Sequence, residues 1–164
     1  MLEMFRDEYI RSHFQLRVVG TVSGAEKKYF EKKCCEYNIT EENIYFTGWV
    51  DYPNIPEMLK GDIGILFFEK VFNAFYSMPN KLYNYHVAGI PVLATHCADL
   101  SVTIEKLRTG IVVERTVSAV REGLVKLIDH YEEYQQRVLD YQRMFHWSVD
   151  EDRLFGIYEK LLKN

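Results

Sequence analysis

The sequence predicts an α/β protein with a doubly wound, Rossmann-like parallel sheet whose first strand is absent. Helical and strand patterns alternate along the chain, and the strand segments are short and continuously apolar. Strands of this kind are typical of parallel sheets that helices cover on both faces. The length of 164 residues fits one domain, so we predict a single domain over residues 1–164.

The strand predictions rest on apolar runs that end at glycine, proline or polar residues. The predicted strands are residues 16–20, 44–47, 63–68, 92–95 and 111–113. In a doubly wound fold the first strand lies in the middle of the sheet, and the chain winds outward from it. Here the chain opens on a helical pattern, so we expect the sheet to lack that strand.

The helix predictions rest on apolar residues at helical spacing. The predicted helices are residues 1–14, 25–37, 56–60, 80–88, 104–107, 117–131, 133–145 and 149–162. The helix at 80–88 has the clearest ends, because Pro79 suits its start and Gly89 its carboxyl-terminal cap.

Composition narrows the classes of function. The net charge of −4 argues against binding of long nucleic acid, whereas a small phosphorylated ligand needs only a local group of N–H donors. Cys34, Cys35 and Cys97 form neither a disulfide pattern nor a zinc motif, so we predict no metal site and a cytoplasmic location. We find no signal peptide and no transmembrane segment, and peripheral membrane contact stays open.

Ligands of open parallel sheets bind beyond the carboxyl ends of the strands. That rule selects the segment from Gly20 to Ser23, the turn from Gly48 to Asp51, the segment 69–78, and Thr95 with His96. Trp49 either stacks on a nucleobase or packs against the next helix. Glu69 and Lys70 are either part of the binding site or residues of a solvated loop. His86 and His96 are further candidates for a ligand contact.

The start of the helix at Pro79 is the sharpest candidate. The first N–H groups of a helix lack partners and, with the helix dipole, favour an anion such as phosphate. Lys81 lies in that first turn, where a cation is unexpected unless an anion binds. A solvated lysine is the alternative. Asn84 lies on the same helical face. Its side chain either hydrogen-bonds a sugar hydroxyl or is an ordinary exposed amide.

The segment MPNKLYNYHVAGIPVLAT, residues 78–95, resembles a signature of the C-terminal domain of retaining GT-B glycosyltransferases, the glycosyl transferases group 1 family. The matching residues are Pro79, Lys81, Tyr85, Gly89, Pro91 and Val92. Segments 16–20, 44–50, 62–67 and 109–111 resemble further elements of that domain in the same order, and the likeness covers residues 16–162.

The resemblance implies a nucleotide diphosphate sugar as donor substrate, with no cofactor. It places the phosphates at the helix start formed by Met78, Pro79, Asn80 and Lys81. It places the nucleobase against Gly48, Trp49 and Val50, beside the strand end at Gly20 and Thr21. The position of Asn84 holds a glutamate that binds the ribose in the family. No catalytic residue is assigned.

The chain departs from the family in two respects. Tyr76 and Asn84 stand where many members carry two glutamates. The first strand of the domain, the basic loop that follows it and the acceptor-binding domain have no counterpart here, so we expect the isolated chain to be inactive. The strands beside the absent one should close up, or a segment of another chain should fill the gap. We therefore predict self-association or a missing acceptor domain as partner.

Several functions remain open. The first is the donor-binding part of a glycosyltransferase that moves a sugar to a cell-envelope or polysaccharide acceptor. The alternatives are a non-catalytic nucleotide-sugar-binding or structural remnant, and a nucleotide-sugar epimerase of the same fold. A receiver-like regulatory module is disfavoured, because it needs an acidic pair after the first strand.

Overall fold

The computed structural model describes residues 1–59, 61, 63–68, 72–144 and 146–162, with the side chains of residues 73 and 74 left out. Its strands form two parallel sheets. One sheet pairs β1 (Leu16–Val18) with β2 (Ile44–Phe46), and the other has the order β3 (Gly64–Leu66), β4 (Val92–Thr95), β5 (Gly110–Val113). The predicted α/β class and the position of every predicted strand are confirmed, although all but β4 and β5 are shorter than predicted.

Helices alternate with these strands. The helices of the described residues are η1 (Leu2–Arg6), α1 (Glu8–His13), α2 (Gly24–Glu36), η2 (Tyr52–Asn54), α3 (Ile55–Leu59), α4 (Phe72–Phe75), α5 (Asn80–Val87), α6 (Ala98–Leu107), α7 (Val117–Asp129), α8 (Tyr131–Met144) and α9 (Trp147–Leu162). None of the described helices is both long enough and apolar enough to span a bilayer.

Three helix predictions need correction. The single helix predicted over 1–14 is wrong, because Asp7 is extended and its carboxylate accepts a hydrogen bond from the Ile10 amide at 3.0 Å. That cap ends η1 and starts α1. The helix predicted at 104–107 begins earlier, at Ala98, and α4 was not predicted. The predictions that fall on Lys60, Asp62, Glu69, Lys70 and Phe145 lie outside the described residues.

Two hydrophobic clusters cover opposite faces of the strands. The first lies under both sheets and joins their side chains to η1, α1, α2 and α7, with Leu16, Ile44, Ile65, Leu93 and Ile111 among its members. The second joins β3 and β4 to α5 and α6 through Leu66, Leu82, Val92, Leu100 and Ile104. Side chains of successive strand residues alternate between these clusters, as the period of a strand requires.

Within the described residues, no backbone pairing joins the two sheets. The strands β1 and β3 are therefore not paired with each other. Gly64 shows how closely β3 is packed, since a Cβ there would lie 2.6 Å from the ring of Tyr85 on α5.

Candidate functional site

The carboxyl ends of β1 and β2 are tied together by three residues. Gly20 and Gly48 form an isolated bridge between the two chain segments. The hydroxyl of Thr47 accepts a hydrogen bond from the Gly20 amide at 3.2 Å and donates to the Gly48 carbonyl at 2.9 Å. Because these bonds satisfy polar groups where the strands end, they fix the directions of the two loops that follow.

The backbone at Gly20 and at Gly48 adopts a positive-φ conformation that favours glycine. Gly20 has a φ of 126° and Gly48 a φ of 71°, and a Cβ at either position would meet no heavy atom within 4 Å. Glycine is therefore required at both positions by the backbone conformation, and not by crowding from neighbouring atoms. Open space next to the main chain is what allows a flat ligand to approach it.

Two hollows lie on either side of Trp49. The first has a volume of about 290 Å³ and is lined by Val19, Gly20, Thr21, Trp49, Val50, Tyr52 and Ile55. The second, of about 350 Å³, is lined by Tyr45, Thr47, Trp49, Val50, Asp51, Asn54, Glu57 and Met58. The two hollows thus bring Gly20 and Thr21 together with Trp49, Val50 and Asp51. Gly48 is joined to this group through its bridge to Gly20, whereas Val22 and Ser23 line neither hollow.

The side chain of Trp49 is 78% exposed, so the packing interpretation of this residue is wrong. Its indole N–H donates to the carboxylate of Asp51 at 3.3 Å, which holds the ring in one orientation. Tyr52 is equally exposed beside it. Sequence reasoning missed Tyr52, although the adjacent Pro53, which lies in the first turn of η2, could have marked an ordered aromatic position.

The start of α5 is open. Pro79 is the extended residue before the helix, and no side chain caps it among the described residues. Asn80 and Lys81 are exposed, whereas Met78, Pro79 and Asn84 are half-buried. Since the Leu82 amide already donates to the Pro79 carbonyl at 3.0 Å, the amides before it are the ones available to an anion.

The order of the elements places this helix start at the ligand-binding edge. The helix α5 connects β3 to β4, and these strands are parallel. A connecting helix must return from the carboxyl end of one strand to the amino end of the next, so α5 begins at the carboxyl edge. No described residue of α5 lines either hollow, and the two parts of the predicted site therefore remain separate.

The remaining candidates lie outside the hollows. Tyr76 is exposed and packs against the rings of Phe72 and Phe75. His96 is exposed at the end of β4, with its Nδ1 at 3.3 Å from the hydroxyl of Ser101. Thr95 is buried, and its hydroxyl accepts a hydrogen bond from the Phe68 amide at 2.8 Å, which is a structural role.

His86 is buried, with 3% of its surface exposed. Its ring packs edge-on against Tyr141, with the centroids 5.2 Å apart. Neither ring nitrogen has a hydrogen-bond partner in the described part of the chain. Burial lowers the pKa of His86 from 6.5 to about 4, so the ring is neutral at physiological pH.

The fold defines the class to which the chain belongs. It matches a sucrose-phosphate synthase from Thermosynechococcus elongatus with a TM-score of 0.70 and 19% identity, over 99% of this chain and 42% of that one. It also matches a glycosyltransferase from Rickettsia africae with a TM-score of 0.62 and 16% identity, over 99% of this chain and 45% of the other. These matches show one half of a GT-B fold.

A third match is WaaG, a glycosyltransferase involved in lipopolysaccharide biosynthesis. Its TM-score is 0.60 at 18% identity, and the alignment covers 87% of this chain and 37% of that one. The chain therefore spans about two fifths of the solved structures it resembles. The model of the family glycosyl transferases group 1 matches residues 1–130, so the chain belongs to that family. No curated protein matches it.

Proposed function

We propose that the chain binds the nucleotide diphosphate sugar donor of a glycosyltransferase. The observation that carries this proposal is the exposed Trp49 ring between two hollows at the carboxyl ends of β1 and β2. An exposed indole that a hydrogen bond holds in place offers a flat apolar surface, and a base stacked on such a ring gains on the order of 1–3 kcal/mol.

The diphosphate is assigned to the start of α5. The exposed amides of Asn80 and Lys81 and the positive end of the helix dipole supply hydrogen bonds and charge to an anion. Lys81 adds one ammonium group in the same turn. Asn84, one turn further along, both donates and accepts hydrogen bonds, and we assign it to the ribose hydroxyls.

Turnover requires groups beyond this chain. Glycosyl transfer needs an acceptor site that faces the donor, and closure over the substrates excludes water. We propose that an acceptor-binding domain supplies the acceptor site that faces the donor, and that the chain alone does not catalyse transfer. We further propose that the acceptor is a cell-envelope or polysaccharide precursor in the cytoplasm. A non-catalytic nucleotide-sugar-binding role is the second candidate, because Asn84 replaces the family's glutamate. The epimerase alternative needs an acid–base pair beside the sugar, and no residue is assigned to that role.

Donor binding can be tested by calorimetry with the glucose conjugates of UDP, GDP and ADP. One of these should bind, and ligand at 100 times its dissociation constant should stabilise the fold by about 2.7 kcal/mol. Trp49→Ala should weaken binding about tenfold or more, because it removes the stacking surface. Tyr29→Ala is the matched control, since Tyr29 is an exposed aromatic residue on α2.

A second variant separates the phosphate contact from the base contact. Lys81→Ala should weaken the nucleotide diphosphate about tenfold and leave the free nucleoside unchanged, because only the former carries charge. Lys106→Ala, in the last turn of α6, controls for net charge. The proposal is wrong if no nucleotide sugar binds at millimolar concentration, or if both Trp49→Ala and Lys81→Ala bind like the unchanged protein.

A further inference from the structure

The two hollows beside Trp49 differ in charge. The hollow of about 290 Å³ has no charged side chain among the described residues that line it. The hollow of about 350 Å³ has two, Asp51 and Glu57, and both are acidic. We call it the acidic hollow. Because like charges repel, a nucleotide that binds there turns its uncharged base, and not its phosphates, toward these carboxylates.

The carboxylate of Asp51 lines the acidic hollow instead of capping a helix. Asp51 directly precedes η2, where an aspartate side chain commonly accepts a hydrogen bond from an amide of the first turn. No such bond forms, and Oδ1 of Asp51 instead accepts the indole N–H of Trp49 at 3.3 Å. In the part of the chain that the structure describes, Oδ2 has no partner. Since an ionised carboxylate accepts about four hydrogen bonds, Asp51 keeps most of its capacity.

The turn η2 places Asn54 beside Asp51. The Asn54 amide donates to the Asp51 carbonyl at 2.9 Å, and Pro53 lies in the same turn, where its ring fixes one backbone angle. Side chains three residues apart in a 3-10 helix eclipse one another, and both Asp51 and Asn54 line the acidic hollow. The exposed carboxamide of Asn54 can donate, whereas the carboxylate only accepts. The hollow therefore offers an acceptor and a donor side by side.

A base that stacks on Trp49 brings its own edge to these two groups. Because the indole N–H points at Asp51, the carboxylate lies at the rim of the ring, where the edge of a stacked base also lies. Guanine has two neighbouring donors on that edge, N1–H and the 2-amino group, followed by the acceptor O6. Adenine and cytosine have a ring acceptor next to their amino group, and uracil has one N–H between two carbonyls. Guanine alone matches a carboxylate that accepts two bonds beside an amide that donates one.

We infer that the acidic hollow selects guanine, so that the donor is a GDP-sugar. Asp51 accepts hydrogen bonds from N1–H and the 2-amino group, and Asn54 donates to O6. Uracil turns a carbonyl oxygen toward the carboxylate, and adenine or cytosine a ring nitrogen, so each of them meets a repulsive contact that guanine avoids. The inference rests on the proposed function, because it names the base of the donor that we assign to this site.

Four nucleoside diphosphates that differ only in the base isolate base recognition. They are GDP, inosine diphosphate (IDP), ADP and UDP, each titrated into the 164-residue protein by calorimetry. All four carry the same diphosphate, so differences in affinity come from the base. GDP should bind at least about tenfold more tightly than IDP, which lacks the 2-amino group and loses a bond to a charged acceptor. ADP and UDP should bind more weakly than IDP, because they also present an acceptor to the carboxylate.

The variant Asp51→Asn should reverse a preference between two bases. Xanthosine diphosphate (XDP) has a carbonyl where GDP has the 2-amino group. A carboxylate repels that carbonyl, whereas a carboxamide can donate to it. The unchanged protein should therefore prefer GDP to XDP at least about tenfold, and Asp51→Asn should prefer XDP. The new amide oxygen can still accept the indole N–H, so the orientation of Trp49 is retained.

Two further variants complete this test. Asp129→Asn is the matched control for charge, since Asp129 is an exposed aspartate at the end of α7, and it should keep the preference for GDP over XDP. Asn54→Ala should weaken GDP and IDP by the same factor, about fivefold, because both bases carry O6. The ratio of the GDP and IDP affinities should then stay as in the unchanged protein, since the 2-amino group binds Asp51.

Failure of this inference looks different from failure of the proposed function. If IDP, ADP or UDP binds as tightly as GDP, or if Asp51→Asn still prefers GDP to XDP, the site does not select guanine, whereas nucleotide binding stands. If none of the diphosphates binds at millimolar concentration, the proposed function is wrong and this inference falls with it. The comparison of GDP with IDP needs no variant, so it decides the question even if Asp51→Asn does not fold.

Discussion

The two halves of the sheet differ in how deeply they are buried. All four residues of β4 are buried, and Leu93, Val92 and Ala94 have no exposed surface. On β1 no residue is buried, and α2, which follows it, buries none of its side chains. The difference arises because β4 is paired on both sides and covered by helices on both faces, whereas β1 has one strand partner among the described residues.

This contrast separates stability from recognition. The β3–β5 half holds the most deeply buried strand, β4, and sets the position of α5, whose open start we assign to the diphosphate. The β1–β2 half carries the glycine turns and the exposed aromatic residues of the hollows. Binding surfaces are commonly drawn from the less stable parts of a fold, since buried packing and exposed contact area compete for the same side chains.

The largest expected effect comes from truncating one leucine in each half. Leu93→Ala on β4 should lower the free energy of unfolding by about 4 kcal/mol, because the buried site cannot collapse around the lost side chain. Leu16→Ala on β1, which is half-buried, should cost about 1 kcal/mol. Urea denaturation measures both losses, and equal losses would mean that the two halves contribute equally to the core.

A smaller effect should come from acid titration of His86, which lies on the well-packed side. Its pKa is lowered to about 4 by burial, so between about pH 6.5 and pH 4 the unfolded chain takes up a proton that the folded chain does not. The contribution of His86 to the free energy of unfolding is therefore fully present above about pH 6.5. It decreases as the pH is lowered, and about 3 kcal/mol is lost at pH 4.

The variant His86→Leu isolates that contribution. Leucine has a similar volume and no titratable group, so the difference in unfolding free energy between the two proteins should change by about 3 kcal/mol from pH 7 to pH 4. Carboxylates elsewhere contribute equally to both proteins and cancel. A difference that stays constant with pH would show that the ring is solvated and titrates normally.

Much of this fold could be predicted because local chemistry decides it. The bounds of β4 were predicted as observed, since a short apolar run begins after Pro91 and ends at polar residues. The start of α5 at Pro79 and its end near Gly89, which has a φ of 76°, follow from the same local rules. The α/β class with parallel strands and the family were also within reach of ordered motifs.

What could not be predicted has both local and long-range causes. A side-chain bond from Asp7 breaks the first helix, although the apolar spacing continues through it. The exposure of Trp49 depends on which helix lies beside it, and sequence allowed either outcome. The separation of the strands into two sheets could not be predicted either, because the same strand pattern is consistent with one continuous sheet and with two.

The smallest expected effect lies in α9, which belongs to neither half and buries no described residue. Gly156 is in the interior of this helix, and a Cβ there would meet no heavy atom within 4 Å. Gly156→Ala should therefore raise the stability of the helix by about 0.8 kcal/mol through backbone entropy alone, with no change in donor affinity. Circular dichroism should show more helix at high temperature, before the β-sheet core unfolds. If the whole unfolding curve shifts instead, α9 is coupled to the core despite its exposure, and the division into two halves would have to include it.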